Sequence, residues 1–503
     1  MHMQMLAGGL PTHPLASLWL LCSLAIAAPE EGDMTESSCC ASWSPGLAPR
    51  SCWARSGAEE SRRWSLTILT RPPMQQIFFR GQQQEQPAYR PPLAVDKRLC
   101  DGSQTGGGQC HYGVTRSYLR GLQLIGHESF TFNPPNASLY GHVIWALGGA
   151  GACAAAMDAK RSRPPGDTFV VVGPNMQDLQ GCGQESVPDA VVVPSLWVKE
   201  LGMSGRLPGF GSALAGYPAD RILTSHAGVD TEFWKPSAPW PSQKRRRIVL
   251  YDKSVVSEGS ISSSFVGDVE DILLASGRPL DVIRYGFETD GYAADDFRAI
   301  LDESIVAVFL SKSESQGLAL AEAWAMDVPT LIWQGPRQWL TDPAAPAHKE
   351  ASVETDAAPY LTNQTGLRFS SLDHLPILLA KVVDAHVKGI AGADASPGVP
   401  SDTGLPRAGV RAGSDGDDLP RFQPREWVLS HMSDEAAVLY ALHLIGQARA
   451  GGQRDREEGS DGLDGAREAD AHSSSFQSGL PSRRARLLEW RRRQGVDGTG
   501  VGR

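Results

Sequence analysis

The chain has 503 residues, 41% of them hydrophobic and 21% charged, with a formal net charge of −10 and a pI near 5.7. That length exceeds one ordinary core and implies two domains with appendages. The acidic balance excludes a nucleic-acid partner, because no basic footprint exists to displace phosphate counterions, and the dense basic runs at 244–247 and 491–493 are short enough to read as solvated surface.

In chain order, the first feature is the apolar run from Leu15 to Ala28, too short to cross a bilayer comfortably and of the length of a signal-peptide core. Ala25-Ile26-Ala27 supplies a small-x-small cleavage site, but no Lys or Arg precedes the run. Residues 1–28 therefore read as a signal peptide or a short anchor, with a membrane contact expected only if the segment stays uncleaved. The expected location is the secretory pathway, in the ER or Golgi lumen, or outside the cell; without a functional signal it is the cytoplasm. Residues 29–63 mix Ser, Ala, Pro and charge without periodicity and read as a disordered tether.

There are eight cysteines. None shows CxxC zinc spacing, so no metal site is expected, while Cys100 and Cys110 bracket a glycine-rich stretch and are placed to close a small loop by a disulfide. Asn136 and Asn363 begin N-x-S/T triplets that become glycan acceptors if the chain is secreted.

Regular structure is expected to begin at the β-prone run Ser65 to Thr70. After the glycines at 106–108, Val114, Tyr118, Leu122 and Ile125 recur at helical spacing and predict a helix with one buried stripe. Apolar strands follow at His142 to Leu147, Thr168 to Val172 and Ala190 to Val193. A second series comprises Arg247 to Tyr251, Leu280 to Gly286, Ile305 to Leu310 and Pro329 to Trp333. Continuous apolar strands separated by helical spacers mean parallel sheets covered on both faces. The fold class is α/β, with two Rossmann-like, doubly wound domains at 64–236 and 245–392, joined around Pro236 to Lys244. Residues 393–420 read as a disordered insertion. In 421–450 a C-terminal helix is expected, with Ser433 as N-cap, Asp434 and Glu435 in its first turn and an end near Gln447. Residues 451–503 read as a disordered charged tail.

The chemistry concentrates in SESQGLALAEAWAMDVPTLIW, residues 313–333. A buried strand ends at Leu310, a Ser-rich loop carries Glu314, and a helix predicted over 317–326 opens at Gly317 and carries Glu322. Open α/β sheets bind ligands at the carboxyl ends of their strands, where helix N-termini attract anions and above all a diphosphate. Carboxylates repel phosphates, so two of them beside such a helix end suggest polyol hydroxyls on both sides of it. A sugar, a diphosphate and a ribose have that shape.

This segment resembles the E-x7-E segment of retaining glycosyltransferases of the GT-B fold. It departs from their pattern at Ser315-Gln316, at Trp324 and at Asp327, where glycine is usual. Ser225 to Pro236 is similar to the family's N-G-V-D-x-x-x-F-x-P signature, Val192 to Ser195 to the strand and serine upstream of it, and Gly106 to Gly108 to its first glycine loop.

The resemblance covers roughly residues 64–390. It implies two domains facing a cleft, the first for the acceptor and the second for the donor, with a C-terminal crossing helix. It further implies transfer of a hexose-type sugar from a nucleotide diphosphate to an unknown carbohydrate, lipid or protein acceptor, with retention of configuration. No cofactor or metal is implied beyond the nucleotide sugar as substrate. Glu314 takes the catalytic, donor-positioning role, with the Ser315 and Gln316 backbone on the sugar. Lys253, the Gly317 and Leu318 amides and the glycine loop at Gly107 and Gly108 serve the diphosphate, and Glu322 the ribose. Arg284 is read either as a second cation or as a structural salt bridge. A phosphorylase or epimerase of the same fold, and a noncatalytic sugar-binding protein, are the alternatives.

Overall fold

A computed structural model describes residues 64–70, 110–126, 130–132, 134, 136–148, 150–174, 182, 187–205, 214, 216–253, 261–284, 294–311, 313–335, 355–394 and 421–469. The expected signal segment, the tether, the Cys100–Cys110 pairing, Gly107 and Gly108, and the 393–420 insertion beyond residue 394 lie outside the described residues.

The first sheet contains β1 (Leu66–Thr70), β2 (Phe130–Phe132), β3 (Val143–Gly148), β4 (Phe169–Val172), β5 (Ala190–Val193) and β6 (Ile222–Thr224), all parallel, in the order β2-β1-β3-β4-β5-β6. Its strands alternate sides: Val143, Trp145 and Leu147 enter one core and Ile144 and Ala146 the other. That is why the run reads as continuously apolar rather than alternating. Helix α1 (Cys110–Leu124) covers one face with Val114, Tyr118 and Leu122, the stripe expected from the spacing. Helix α2 (Ala150–Arg161) covers the other, and α3 (Leu196–Met203) packs over β5 and β6. A disulfide joins Cys153 on α2 to Cys182, with Cα atoms 5.0 Å apart. Nothing in the local sequence singles out this pair, which is 29 residues apart and brought together by the β4 crossover.

The second sheet contains β7 (Arg247–Asp252), β8 (Leu280–Arg284), β9 (Ser304–Leu310), β10 (Thr330–Trp333) and β11 (Gly366–Phe369), parallel in the order β11-β10-β9-β7-β8. Helices α4 (Ser263–Ala275) and α7 (His374–Asp394) cover the face carrying Ile248, Leu250, Ile305 and Val308. Helices α5 (Ala294–Asp302) and α6 (Leu318–Ala325) cover the face carrying Val249, Tyr251, Ala307 and Phe309. The chain is thus an α/β protein with two doubly wound parallel sheets, the class expected.

Two helices close this compact unit, which extends to Arg449. Helix α8 (Pro424–His431) puts Trp427 and Val428 into the core of the second sheet, whereas α9 (Asp434–Ala469) puts Val438, Leu442 and Ile445 into that of the first. Ser433 caps α9, its Oγ accepting from the Ala436 N–H at 3.2 Å. The helix expected to end near Gln447 runs on to Ala469, so the charged tail from 451 begins as helix rather than as disordered chain.

Candidate active site

Strand order decides where a site can form. From β7 the chain moves outward to β8, then crosses back to β9 and continues the other way through β10 to β11. The loops after β7 and β9 therefore diverge and leave a crevice between their carboxyl ends. Lys253 follows β7 and Glu314 follows β9, so the topology brings together residues 61 apart in sequence.

They meet directly. The Lys253 ammonium donates to both carboxylate oxygens of Glu314, at 2.9 and 3.0 Å. The Ser311 hydroxyl donates to Oε1 at 2.9 Å, and the Lys253 backbone N–H is fixed to the Leu310 carbonyl at 2.9 Å. The side chains keep 23% and 16% of their surfaces exposed, enough for an incoming ligand to reach both. The Glu314 N–H donates to the Asp356 carbonyl at 2.8 Å, and the Asp356 carboxylate receives the Arg368 guanidinium from β11 at 2.8 and 3.2 Å.

Beside this pair, Gly317 occupies the left-handed region, φ 71°, and starts α6. A β-carbon there would sit 3.0 Å from Leu320 Cδ1 in a backbone region that side chains avoid. Gly317 thus stands as the N-cap of α6, and the first-turn amides of a helix lack partners within it. Glu322 lies half-buried farther along α6, which is held by the buried Trp324: its indole N–H donates to Thr330 Oγ1 at 3.0 Å and its ring meets Trp427 edge-on at 5.5 Å. Trp324 is thus a core residue, which accounts for one departure from the family pattern.

The first sheet meets this site with its own carboxyl ends. The Trp197 indole N–H donates to the Glu314 carbonyl at 3.1 Å, the Tyr360 hydroxyl donates to the Pro194 carbonyl, and the Ala227 N–H donates to Gln316 Oε1 at 2.8 Å. Gln316 is buried, and its side chain ties the two domains together. Ser315 is exposed in the loop. Leu318 packs against the core of the first sheet. Two doubly wound sheets facing each other by their carboxyl ends are the GT-B architecture that the sequence implied.

Behind the cleft, His226 is buried between Tyr360, edge-on at 5.0 Å, and Tyr440, stacked at 6.3 Å, and its carbonyl accepts from the Tyr118 hydroxyl at 2.7 Å. Burial pushes the imidazole down to about 4, so it is neutral at physiological pH. Arg284 bridges Glu270 on α4 and lies 3.7 Å from Asp252, which makes it a structural ion pair rather than a second site cation. Among the described residues no group of three or more His, Cys, Asp and Glu side chains is arranged to hold a metal.

The sequence brought out Glu314, Gly317, Glu322 and Lys253 but missed Ser311, Trp197, Asp356, Tyr360 and Arg368. Ser311 lies one short loop step from Glu314 and was within reach of a local reading. The others come from remote segments, and only folding brings them to the site.

No family model matches the chain, and no curated protein matches it. Among solved structures it is similar to the apo form of the lipopolysaccharide outer core galactosyltransferase WaaB, at 14% identity and TM-score 0.30, over 49% of this chain and 67% of that one. It is similar to sucrose-phosphate synthase from Thermosynechococcus elongatus, at 12% identity and TM-score 0.38, over 77% and 100% respectively. It is similar also to the catalytic domain of starch synthase IV from Arabidopsis thaliana, bound to ADP and acarbose, at 11% identity and TM-score 0.39, over 69% and 79%. Likeness this loose carries no functional weight by itself.

Proposed function

We propose that the chain is a nucleotide-sugar-dependent glycosyltransferase of the GT-B type, moving a hexose-type sugar with retention of configuration to a carbohydrate, lipid or protein acceptor. The observation that carries this reading is the Lys253–Glu314 pair at the switch point of the second sheet, beside the left-handed glycine that opens α6. A cation, a helix N-terminus and a carboxylate within one crevice suit a ligand that is anionic at its centre and hydroxylated at its ends.

In this reading the donor diphosphate lies between Lys253 and the Gly317 and Leu318 amides, the ribose hydroxyls reach Glu322, and the sugar rests on Glu314 and the Ser315 and Gln316 backbone. Entry of the diphosphate draws the Lys253 ammonium from Glu314, leaving the carboxylate to accept from sugar hydroxyls. As the bond from the anomeric carbon to the diphosphate oxygen breaks, negative charge grows on the leaving group. Positive ends already in place stabilise that charge without reorganisation. The acceptor hydroxyl oxygen forms the new bond to the anomeric carbon while its proton passes to the departing diphosphate oxygen, and closure of the first domain over the loop excludes water. The Cys153–Cys182 disulfide supports an oxidising, secretory location for this reaction.

The test is a screen of the full chain against a panel of nucleotide sugars, following release of free nucleoside diphosphate, with Glu314→Ala measured beside it. Release from one donor, abolished by the substitution, supports the reading and identifies the sugar. Silence across the panel together with no donor-induced rise in melting temperature overturns it.

A further inference from the structure

We infer that Trp197, on the first domain, is a positioning residue that sets the orientation of Glu314 when the two domains come together. The inference rests on reading Glu314 as the donor-facing carboxylate of a transferase, and it assigns a role to a residue 117 positions before Glu314 that no sequence pattern singled out.

The argument starts from how Glu314 is held. Its carboxylate is engaged by Lys253 and Ser311, and its N–H by the Asp356 carbonyl, all within the second domain. Its carbonyl is engaged from outside, by the Trp197 indole N–H at 3.1 Å. Bonds to the N–H on one side and the C=O on the other pin the peptide planes flanking the Glu314 Cα. With both planes pinned, the direction in which the side chain leaves the backbone is fixed. Releasing the carbonyl frees the plane toward Ser315 and with it the aim of the carboxylate.

Trp197 is built to act as a fixed donor. It lies in the first turn of α3, directly after β5 and Pro194-Ser195, and its ring packs against the cluster of Val191, Val193, Val198 and Leu201. An indole has one N–H and no acceptor, so its bond has one possible sense. Donor and acceptor therefore belong to separate domains, and the bond exists only while the carboxyl ends of β5 and β9 are apposed.

Two other bonds cross the same boundary, from Tyr360 to Pro194 and from Ala227 to Gln316. Those tie the domains together without touching Glu314. Trp197 alone among these three reaches the residue that carries the carboxylate, so its bond transmits closure to the site rather than merely resisting opening. Placement errors of this kind lower the rate of a bound substrate's reaction more than its binding.

The experiment uses Trp197→Phe, which keeps an aromatic ring and removes the donor, with the donor-free Trp197→Leu as a second variant should the first melt early. Hydrogen exchange of the peptide 311–318 and donor turnover are measured in the full chain. Loss of one hydrogen bond to the loop is expected to raise exchange there and to lower kcat roughly three- to tenfold, with the donor KM within about twofold. Unchanged exchange in a folded variant overturns the inference, whatever the activity. Faster exchange with kcat unchanged overturns it as well. Faster exchange in a chain whose wild type turns over no nucleotide sugar upholds the contact and sinks the transferase reading instead, so the two failures are told apart.

Discussion

Two carboxylates sit beside cations in this molecule, and their surroundings are opposite. Glu314 meets Lys253 at the mouth of the cleft, with 16% of its side chain still exposed. Asp434, the first residue of α9, retains only 4% and lies 3.6 Å from the Arg120 guanidinium, which also pairs with Asp230. The space around Asp434 is closed by backbone: a β-carbon at Gly228 would stand 2.4 Å from its Cα and one at Gly121 2.2 Å from its carbonyl oxygen. Burial drives the Asp434 carboxyl up to about 6, against the pull of Arg120 and a bond from Ser117. Similar pairings thus do different work. A carboxylate that a ligand can reach and a lysine can release is available for chemistry, whereas one sealed between backbones locates a helix.

Exchanging the roles of these two residues would break that contrast, and the largest expected effect tests it first. Glu314→Gln should lower kcat roughly a hundred- to a thousandfold, as loss of one preorganised group at a reacting centre does, while the melting temperature moves by less than about 4 °C. Steady-state kinetics and a thermal scan read both. A variant that unfolds while the remaining folded fraction works normally would place Glu314 with Asp434. Lys253→Met comes next, with the donor KM raised roughly ten- to a hundredfold through loss of a charge-assisted contact to the diphosphate, read from initial rates.

The pH dependence sharpens the other side of the contrast. The folded Asp434 carboxyl keeps its proton up to about pH 6, whereas the ordinary value is 3.8. Its contribution to stability is therefore whole below about pH 4 and is lost as the pH climbs through 6. The buried imidazoles of His226 and His386 run the opposite way. Burial lowers both from 6.5 to about 4, so they add stability as the pH rises through that interval. Asp434→Asn removes only the falling part. Urea titrations at pH 4.5 and pH 7 should show the variant gaining on the wild type by roughly 2 kcal/mol between the two, and an equal difference at both would refute the assignment. Gly317→Ala has the smallest expected effect, about 1–2 kcal/mol of stability from a side chain forced into the left-handed region, visible as a lower urea midpoint.

Much of the fold was legible before any coordinates. Runs such as Val143 to Leu147 and Ile305 to Leu310 are apolar at every position because both faces of their strands are covered, a local signature of a parallel sheet. Helix α1 announced itself by Val114, Tyr118 and Leu122, and α9 by Ser433 and its following acids. Each of these is a short-range pattern, set by the periodicity of one element. Helix α8 was not legible as a separate element, since its apolar residues are few and Trp427 and Val428 acquire meaning only against the second core.

The candidate site divides along the same line. By itself the sequence determined that Glu314, Gly317 and Glu322 share one strand–loop–helix unit, because a loop and a single helical turn fix their spacing. It also placed Lys253 after the first strand of the second series. Tertiary structure alone decided that Lys253 grips Glu314, because the crossover from β8 to β9 sets the two strand ends side by side. It alone joined Cys153 to Cys182, and it alone brought Trp197 and Asp356 to the loop, from segments 117 residues before Glu314 and from beyond it. The physical reason is that local periodicity constrains neighbours within a few residues, whereas contacts between separate segments are set by which strands become adjacent as two sheets bury their faces.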